Sequence, residues 1–162
     1  MLIADDHKIV AEALASLLSE SFELVGTVHD GFELVDAALR FQPDVVISDV
    51  FMPNLNGLDA LRQIRNKGAN AKVVFLSMHP TAELAAEAFQ AGAFGFISKE
   101  CAGHELFHAV GEALNGRRYV TPLIGKDLLS LTMDAKKPSF STGPQLSRRQ
   151  REVLQLIAEG DR

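Results

Sequence analysis

The stretch VVISDVFMPNLNG, residues 45–57, decides the fold of this chain. Its first four residues are typical of a buried strand, and Asp49 follows close to the end of that strand. A Met-Pro-Asn loop and Gly57 then lead into a segment with helical periodicity. An ionised carboxylate beside an apolar strand is unfavourable unless a cation or a hydrogen-bond donor meets it. The stretch therefore predicts a strand, a loop and a helix, with a polar site at the carboxyl end of the strand.

Strand-like and helix-like segments alternate along the chain on both sides of this stretch. The predicted strands are Leu2 to Ala4, Glu23 to Val28, Val45 to Ser48, Val73 to Leu76 and Phe94 to Ile97. Apolar residues three and four positions apart predict helices: Ile9 to Leu18, Phe32 to Phe41, Leu58 to Arg65, Ala82 to Phe89 and Leu106 to Leu114. Runs such as DVVIS lack polar alternation, as in strands covered on both faces. The sequence predicts an α/β fold, a doubly wound five-stranded parallel sheet between two helical layers.

Composition narrows the class of protein. A chain of 162 residues with 47% apolar content can form one well-packed domain with an appendage. Because no apolar run approaches the length of a membrane span and no signal-like segment is present, we expect a cytoplasmic protein without a membrane partner. The single cysteine, Cys101, excludes an internal disulfide framework. Residues 1–118 carry 9 basic against 16 acidic residues and residues 119–162 carry 7 against 5, which favours two parts with different roles.

Polar residues follow four of the predicted strands. Because ligand sites in parallel sheets lie beyond the carboxyl ends of the strands, these side chains are expected to share one edge. Three carboxylates at one edge repel each other and raise each other's pKa, which a hard divalent cation relieves. Mg²⁺ prefers carboxylate, carbonyl and water oxygens and commonly acts with phosphate. The set predicts Mg²⁺-assisted phosphoryl chemistry on an aspartate, and its members are Asp5, Asp6, Asp49, Ser77 and Lys99.

Four motifs resemble the receiver domain of two-component response regulators: ADDH at 4–7, ISDVFMPNLNG at 47–57, FLSMH at 75–79 and GFISK at 95–99. The resemblance extends from the first residue to about Arg118. It implies a flavodoxin-like sheet with strand order 2-1-3-4-5. It also implies that Asp49 accepts a phosphoryl group from a sensor histidine kinase, so that the chain is a phosphoacceptor regulator and not an enzyme.

The same resemblance implies a role for each residue of the metal site. Asp6 is expected to bind Mg²⁺ directly, and Asp5 is expected to assist, through water. Asp49 and the backbone carbonyl of Phe51 are the further expected ligands.

It also implies a charge clamp and a switch. Lys99 is expected to pair with the phosphoryl oxygens, and Ser77 is expected to hydrogen-bond them. Ser77 and Phe96 form the expected switch, in which Phe96 stands where many receivers have tyrosine. Phosphorylation is expected to favour a homodimer.

The remaining chain predicts a connection to a second domain. We expect the receiver at 1–118, a connecting helix and linker at 119–145, and the first helix of a truncated all-α DNA-binding domain at 146–162. Residues 119–133 are typical of a strand remnant followed by a short connecting helix, with Thr121 as the predicted N-cap before Pro122. LSRRQREVLQLIAEG, residues 146–160, resembles the opening helix of a LuxR-type helix-turn-helix domain and, with the receiver, the NarL/FixJ class. DNA is the expected partner of the complete helix-turn-helix, whose recognition helix this sequence lacks.

Two alternatives belong to other classes of function. The segment HELFH, residues 104–108, matches the H-E-x-x-H pattern of zinc proteases, but a catalytic zinc needs a third ligand and no His or Cys follows. We favour the simpler interpretation, in which His104 and His108 lie on a solvated helix face. A phosphatase of the haloacid-dehalogenase-like kind resembles Asp-x-Asp at the strand end, whereas Phe51 occupies the place of its second acid.

Overall fold

A computed structural model describes residues 1–134, which form a parallel sheet of six strands between two layers of helices. The strands are β1 (Leu2–Ala4), β2 (Gly26–Val28), β3 (Val45–Asp49), β4 (Lys72–Ser77), β5 (Gly95–Ser98) and β6 (Tyr119–Val120). The helices are α1 (Lys8–Ser19), α2 (Gly31–Phe41), α3 (Gly57–Asn66), α4 (Ala82–Gln90), α5 (Ala102–Leu114) and α6 (Pro122–Asp134). A 3₁₀ turn, Lys99–Cys101, joins β5 to α5. The observed order, β2-β1-β3-β4-β5-β6, confirms the predicted topology and adds one strand at the edge.

Strand β3 lies in the interior of the sheet, and its alternate side chains enter two separate apolar clusters. Val46 packs in the cluster that contains Leu61 of α3, on one face of the sheet. Val45 and Ile47 pack in the cluster that contains Leu106 of α5, on the other face. Because both faces are covered, the strand has no polar alternation, as its sequence predicted.

Strand β2 is shorter than predicted. The predicted strand began at Glu23, whereas the observed one begins at Gly26. Residues 23–25 instead attach to the amino end of β1: the Met1 amino group donates to the Glu23 carbonyl over 2.7 Å, and the Val25 N–H donates to the Met1 carbonyl over 2.8 Å. Since β1 begins only at Leu2, β2 has no neighbour to pair with before Gly26.

Residues 119–134 pack along the side of the sheet formed by β5. Strand β6 pairs in parallel with β5, and α6 lies against α4. Ile124 and Leu128 of α6 are buried in the apolar cluster that also contains Phe96 of β5. The predicted linker at 135–145 and the predicted helix-turn-helix segment at 146–162 lie outside the described residues. Among residues 1–134, no helix is long and apolar enough to cross a membrane.

Candidate functional site

The loops after β1 and β3 and the turn after β5 meet at one edge of the sheet, because all the strands are parallel. Gly57 allows α3 to begin close against the end of β3. A Cβ atom there would overlap the Asp49 carbonyl oxygen and lie 2.9 Å from the Phe75 ring. The Gly57 N–H also donates to the Val50 carbonyl over 2.8 Å. This close approach fixes the loop that follows the aspartate.

Lys99 bridges two buried carboxylates at this edge. Its Nζ lies 2.8 Å from Oδ2 of Asp5 and 2.9 Å from Oδ2 of Asp49. The three side chains are 8% exposed for Lys99, 1% for Asp5 and 8% for Asp49. Charge-assisted hydrogen bonds of this length are the strong kind. The lysine therefore supplies the cation that a carboxylate at the end of an apolar strand requires.

The lysine leaves the cluster with excess negative charge, because two carboxylates share one ammonium. Burial raises the pKa of Asp49 and the neighbouring Asp5 carboxylate raises it further, although Lys99 opposes both effects. Burial by itself lowers the pKa of Lys99, but its hydrogen bonds to Asp5 and Asp49 outweigh this, so its pKa lies above the ordinary value. Both directions show a site that favours an additional positive charge.

Asp6 and His7 extend the cluster toward solvent. One ligand atom each from Asp5, Asp6, His7 and Asp49 lies within 4.8 Å of the others. Within the described part of the chain, Oδ1 of Asp6 is buried and accepts no hydrogen bond, and the nearest ion-pair partner is Nδ1 of His7 at 3.2 Å. Three carboxylates, one of which has a buried oxygen that accepts no hydrogen bond, are a donor set that suits a hard divalent cation such as Mg²⁺.

His7 was not among the residues predicted for this site. Its backbone N–H donates to Oδ1 of Asp5 over 2.9 Å, and its imidazole is largely exposed. The available signal was its position in ADDH, directly after the two acids.

Phe51 and Ser77 lie at the same edge. The Phe51 N–H donates to Oδ1 of Asp49 over 3.2 Å, so this backbone borders the carboxylate. Ser77 is fully buried at the end of β4, one position beyond Leu76, the register partner of Asp49. Its hydroxyl accepts a hydrogen bond from the His79 N–H over 3.2 Å. The roles of Phe51 as a metal ligand and of Ser77 as a phosphoryl donor stay predictions.

Phe96, the second predicted switch residue, points into the protein. Its side chain is fully buried and belongs to the apolar cluster that contains Phe89 of α4 and Leu128 of α6. The Phe96 ring therefore connects β5, which ends beside Lys99, with helices α4 and α6.

The HELFH segment lies on α5, and its histidines are not part of the acidic cluster. Both histidines are exposed, whereas the opposite side of the helix is buried through Leu106, Ala109, Val110 and Ala113. Among the described residues, no third potential ligand joins His104 and His108. The interpretation as a solvated helix face is confirmed.

Comparison with known proteins agrees with this geometry. The profile of the response regulator receiver domain matches residues 1–111. The transcriptional regulatory protein YdfI of Bacillus subtilis (strain 168) is 30% identical over 162 residues, 99% of this chain and 75% of YdfI. The response regulator UvrY of Escherichia coli (strain K12) is 29% identical over 164 residues, 100% of this chain and 75% of UvrY. A two-component response regulator of the LuxR family from Aurantimonas sp. SI85-9A1 superimposes with a TM-score of 0.76 at 30% identity, over 82% of this chain and 96% of that one.

A parallel sheet with three acids and a lysine at its carboxyl edge, matched by this profile, is a receiver domain, the class that takes part in two-component signalling. The chain belongs to the response regulator family, and its similar proteins are regulators of the LuxR/NarL group. This assignment gives no support to the hydrolase alternative.

Proposed function

We propose that Asp49 is the phosphoacceptor of this response regulator and that its phosphorylation controls a DNA-binding output. The contact that carries the proposal is the bridge from Lys99 to Asp5 and Asp49, which holds a reactive carboxylate beside an acidic cluster. A buried carboxylate that is paired and still borders the open edge of the sheet can act as a nucleophile.

In the proposed transfer, an oxygen of the Asp49 carboxylate attacks the phosphorus of a phosphohistidine on the sensor kinase. The new P–O bond forms as the P–N bond breaks, and the electron pair of that bond stays on the histidine nitrogen, which takes up a proton. Lys99 opposes the rise in the pKa of Asp49 that burial causes. Lys99 is also the cation that can pair with the negative charges of the transferred group.

Mg²⁺ is the metal that the donor set fits best. Asp5, Asp6 and Asp49 would hold it, together with the proposed Phe51 carbonyl. When bound, the cation offsets the negative charge that three carboxylates and a phosphoryl group bring together. The observation that favours this assignment is the buried Oδ1 of Asp6, which accepts no hydrogen bond among the described residues. Ser77 would donate its hydroxyl to the phosphoryl group.

The proposed output follows from the relatives. YdfI is named a transcriptional regulatory protein, and a LuxR-type helix-turn-helix is expected from residue 146 onward. We place the protein in the bacterial cytoplasm with a sensor histidine kinase as its partner, and we expect it to form a homodimer when phosphorylated. In this role the protein is a substrate of its kinase and a regulator, and any catalysis is limited to its own phosphorylation and dephosphorylation.

Intact mass spectrometry after incubation with acetyl phosphate tests the proposal. The parent chain is expected to gain the mass of one phosphoryl group with Mg²⁺ and not with a chelator. Asp49→Asn removes the nucleophile at constant size and should abolish the gain. Asp36→Asn, at an exposed position of α2, is the matched control and should leave it unchanged. A phosphoryl group that appears on Asp49→Asn as readily as on the parent contradicts the proposal.

A further inference from the structure

Thr121 stands at the junction between β6 and α6 and is almost fully buried, with 6% exposure. Its backbone N–H donates to the Phe96 carbonyl over 3.1 Å. Its hydroxyl accepts a hydrogen bond from the Ser98 N–H over 3.1 Å and donates one to Oε2 of Glu105 over 2.6 Å. The side chain of the predicted N-cap therefore bonds to β5 and α5 and, among the described residues, does not cap α6. One residue thus connects β5, α5 and the start of α6.

The contact with Ser98 reaches the edge of the sheet where the acids lie. Ser98 directly precedes Lys99, and the 3₁₀ turn begins at the lysine. The bond between the Ser98 N–H and Thr121 consequently fixes the backbone immediately before the residue that bridges Asp5 and Asp49. A backbone N–H that is buried needs such a partner, since no water replaces it.

The other side of Thr121 begins the connecting helix. Its carbonyl accepts the Gly125 N–H over 3.0 Å, which is the first hydrogen bond of α6. Pro122, which follows, has no N–H and suits the first helical position. Helix α6 then packs against α4, and its Leu128 shares the apolar cluster of Phe96. The position of α6 on the sheet thus depends on the same residue that fixes the Ser98 backbone.

We infer that Thr121 is a positioning residue that couples Lys99 to α6, so that phosphorylation of Asp49 changes how α6 packs against α4. The inference rests on the proposed phosphorylation of Asp49. In the described state the ammonium is held between Asp5 and Asp49, and a phosphoryl group on Asp49 gives it new negative oxygens to pair with. The Lys99 ammonium then moves toward these oxygens. The Ser98–Thr121 hydrogen bond carries this displacement to the start of α6, the helix that leads toward residues 135–162.

Amide hydrogen exchange on the whole chain tests the coupling, with Mg²⁺ and with or without beryllofluoride as the phosphoryl mimic. In the parent, exchange across residues 122–134 should change by at least about fivefold, the lower range of allosteric couplings. Thr121→Val keeps the shape of the side chain but removes the hydroxyl, and the change should fall to about twofold or less. Thr121→Ser keeps the hydroxyl and should restore it. In all three proteins, Mg²⁺-dependent phosphorylation of Asp49 should persist.

The difference between the two states is the informative quantity. A merely structural threonine would speed exchange in α6 equally with and without beryllofluoride, and a full response in Thr121→Val overturns the inference. Glu105→Ala, at a half-buried position of α5, removes the acceptor that orients the hydroxyl and should also weaken the response. If Thr121→Val does not fold, Glu105→Ala provides the test. A weakened response to beryllofluoride then supports the coupling, and an undiminished response refutes it.

The two proposals fail in different ways. A parent chain that takes up no phosphoryl group on Asp49 contradicts the proposed function. A parent chain that is phosphorylated on Asp49, yet shows no change of exchange in α6 with beryllofluoride, refutes the coupling alone.

Discussion

Replacing Lys99 by methionine tests whether this lysine offsets the unfavourable free energy of burying Asp5 and Asp49. Methionine keeps most of the apolar stem and removes the ammonium group, which leaves Asp5 and Asp49 without the donor that now lies 2.8 and 2.9 Å from them. Removing one partner of a buried ion pair typically destabilises by 3–5 kcal/mol. Because Asp49 borders the open edge of the sheet, we expect a loss of about 3 kcal/mol, near the lower limit.

Urea unfolding at pH 7 without divalent cations measures this loss. With a slope of roughly 2 kcal/mol per molar urea, the midpoint of Lys99→Met should fall by about 1.5 M. Mg²⁺ should restore part of the loss, since it offsets the same carboxylates. Lys126→Met, at an exposed position of α6, is the matched control and should change the midpoint little.

The pH dependence of this loss has a definite sign. Burial already raises the pKa of Asp49 above its value in the unfolded chain, and removal of Lys99 should raise it further. A carboxyl group with a raised folded pKa opposes folding above its unfolded pKa, and this penalty disappears as the pH falls through the folded value. The difference between Lys99→Met and the parent should therefore be largest near neutral pH and shrink in acid. Equal midpoints for the two proteins at pH 7 would refute the reasoning.

Two further substitutions address the helix cap and the loop beside the site. Asp30 caps α2 by accepting a hydrogen bond from the Glu33 N–H, and this bond lowers the pKa of Asp30. Asp30→Ala should therefore destabilise the protein by about 1 kcal/mol at pH 7, and by less as the pH falls below the folded pKa. Equal losses at pH 7 and pH 3 in urea unfolding would contradict this. Gly57→Ala should destabilise the protein by about 2 kcal/mol through overpacking and slow the Mg²⁺-dependent phosphorylation of Asp49. In the control Gly111→Ala, the new Cβ meets no atom within 4 Å, so this variant should be neutral or stabilising. Similar effects of the two alanines would contradict the close contact at Gly57.

The sequence located the candidate site because its members are tied to the ends of strands. Asp49 and Ser77 each close an apolar run, and parallel strands necessarily place such residues at one edge. The helical periodicity of α5 could also be predicted, because it reflects which side of the helix the sheet covers.

Features that depend on distant partners could not be predicted in this way. The start of β2 depends on where β1 begins, which leaves Glu23 outside the strand although its neighbours are apolar. The strand remnant predicted at the start of residues 119–133 is confirmed as β6, but two residues are too few to predict its register. That register decides that Thr121 meets Ser98, 23 positions earlier. The bridge between Lys99 and Asp5 spans 94 positions, and only the folded sheet brings the two together.

The short sixth strand also protects the protein from unwanted association. Without β6, the outer edge of β5 would offer unpaired carbonyl groups to any other chain, which is how exposed strands initiate aggregation. The N–H groups of Tyr119 and Thr121 occupy the carbonyls of Phe94 and Phe96, and a strand of two residues is too short to recruit another. A fragment cut before Tyr119 would keep the acidic site but expose this edge together with the apolar surface that α6 now covers, and it would self-associate through surfaces unrelated to signalling.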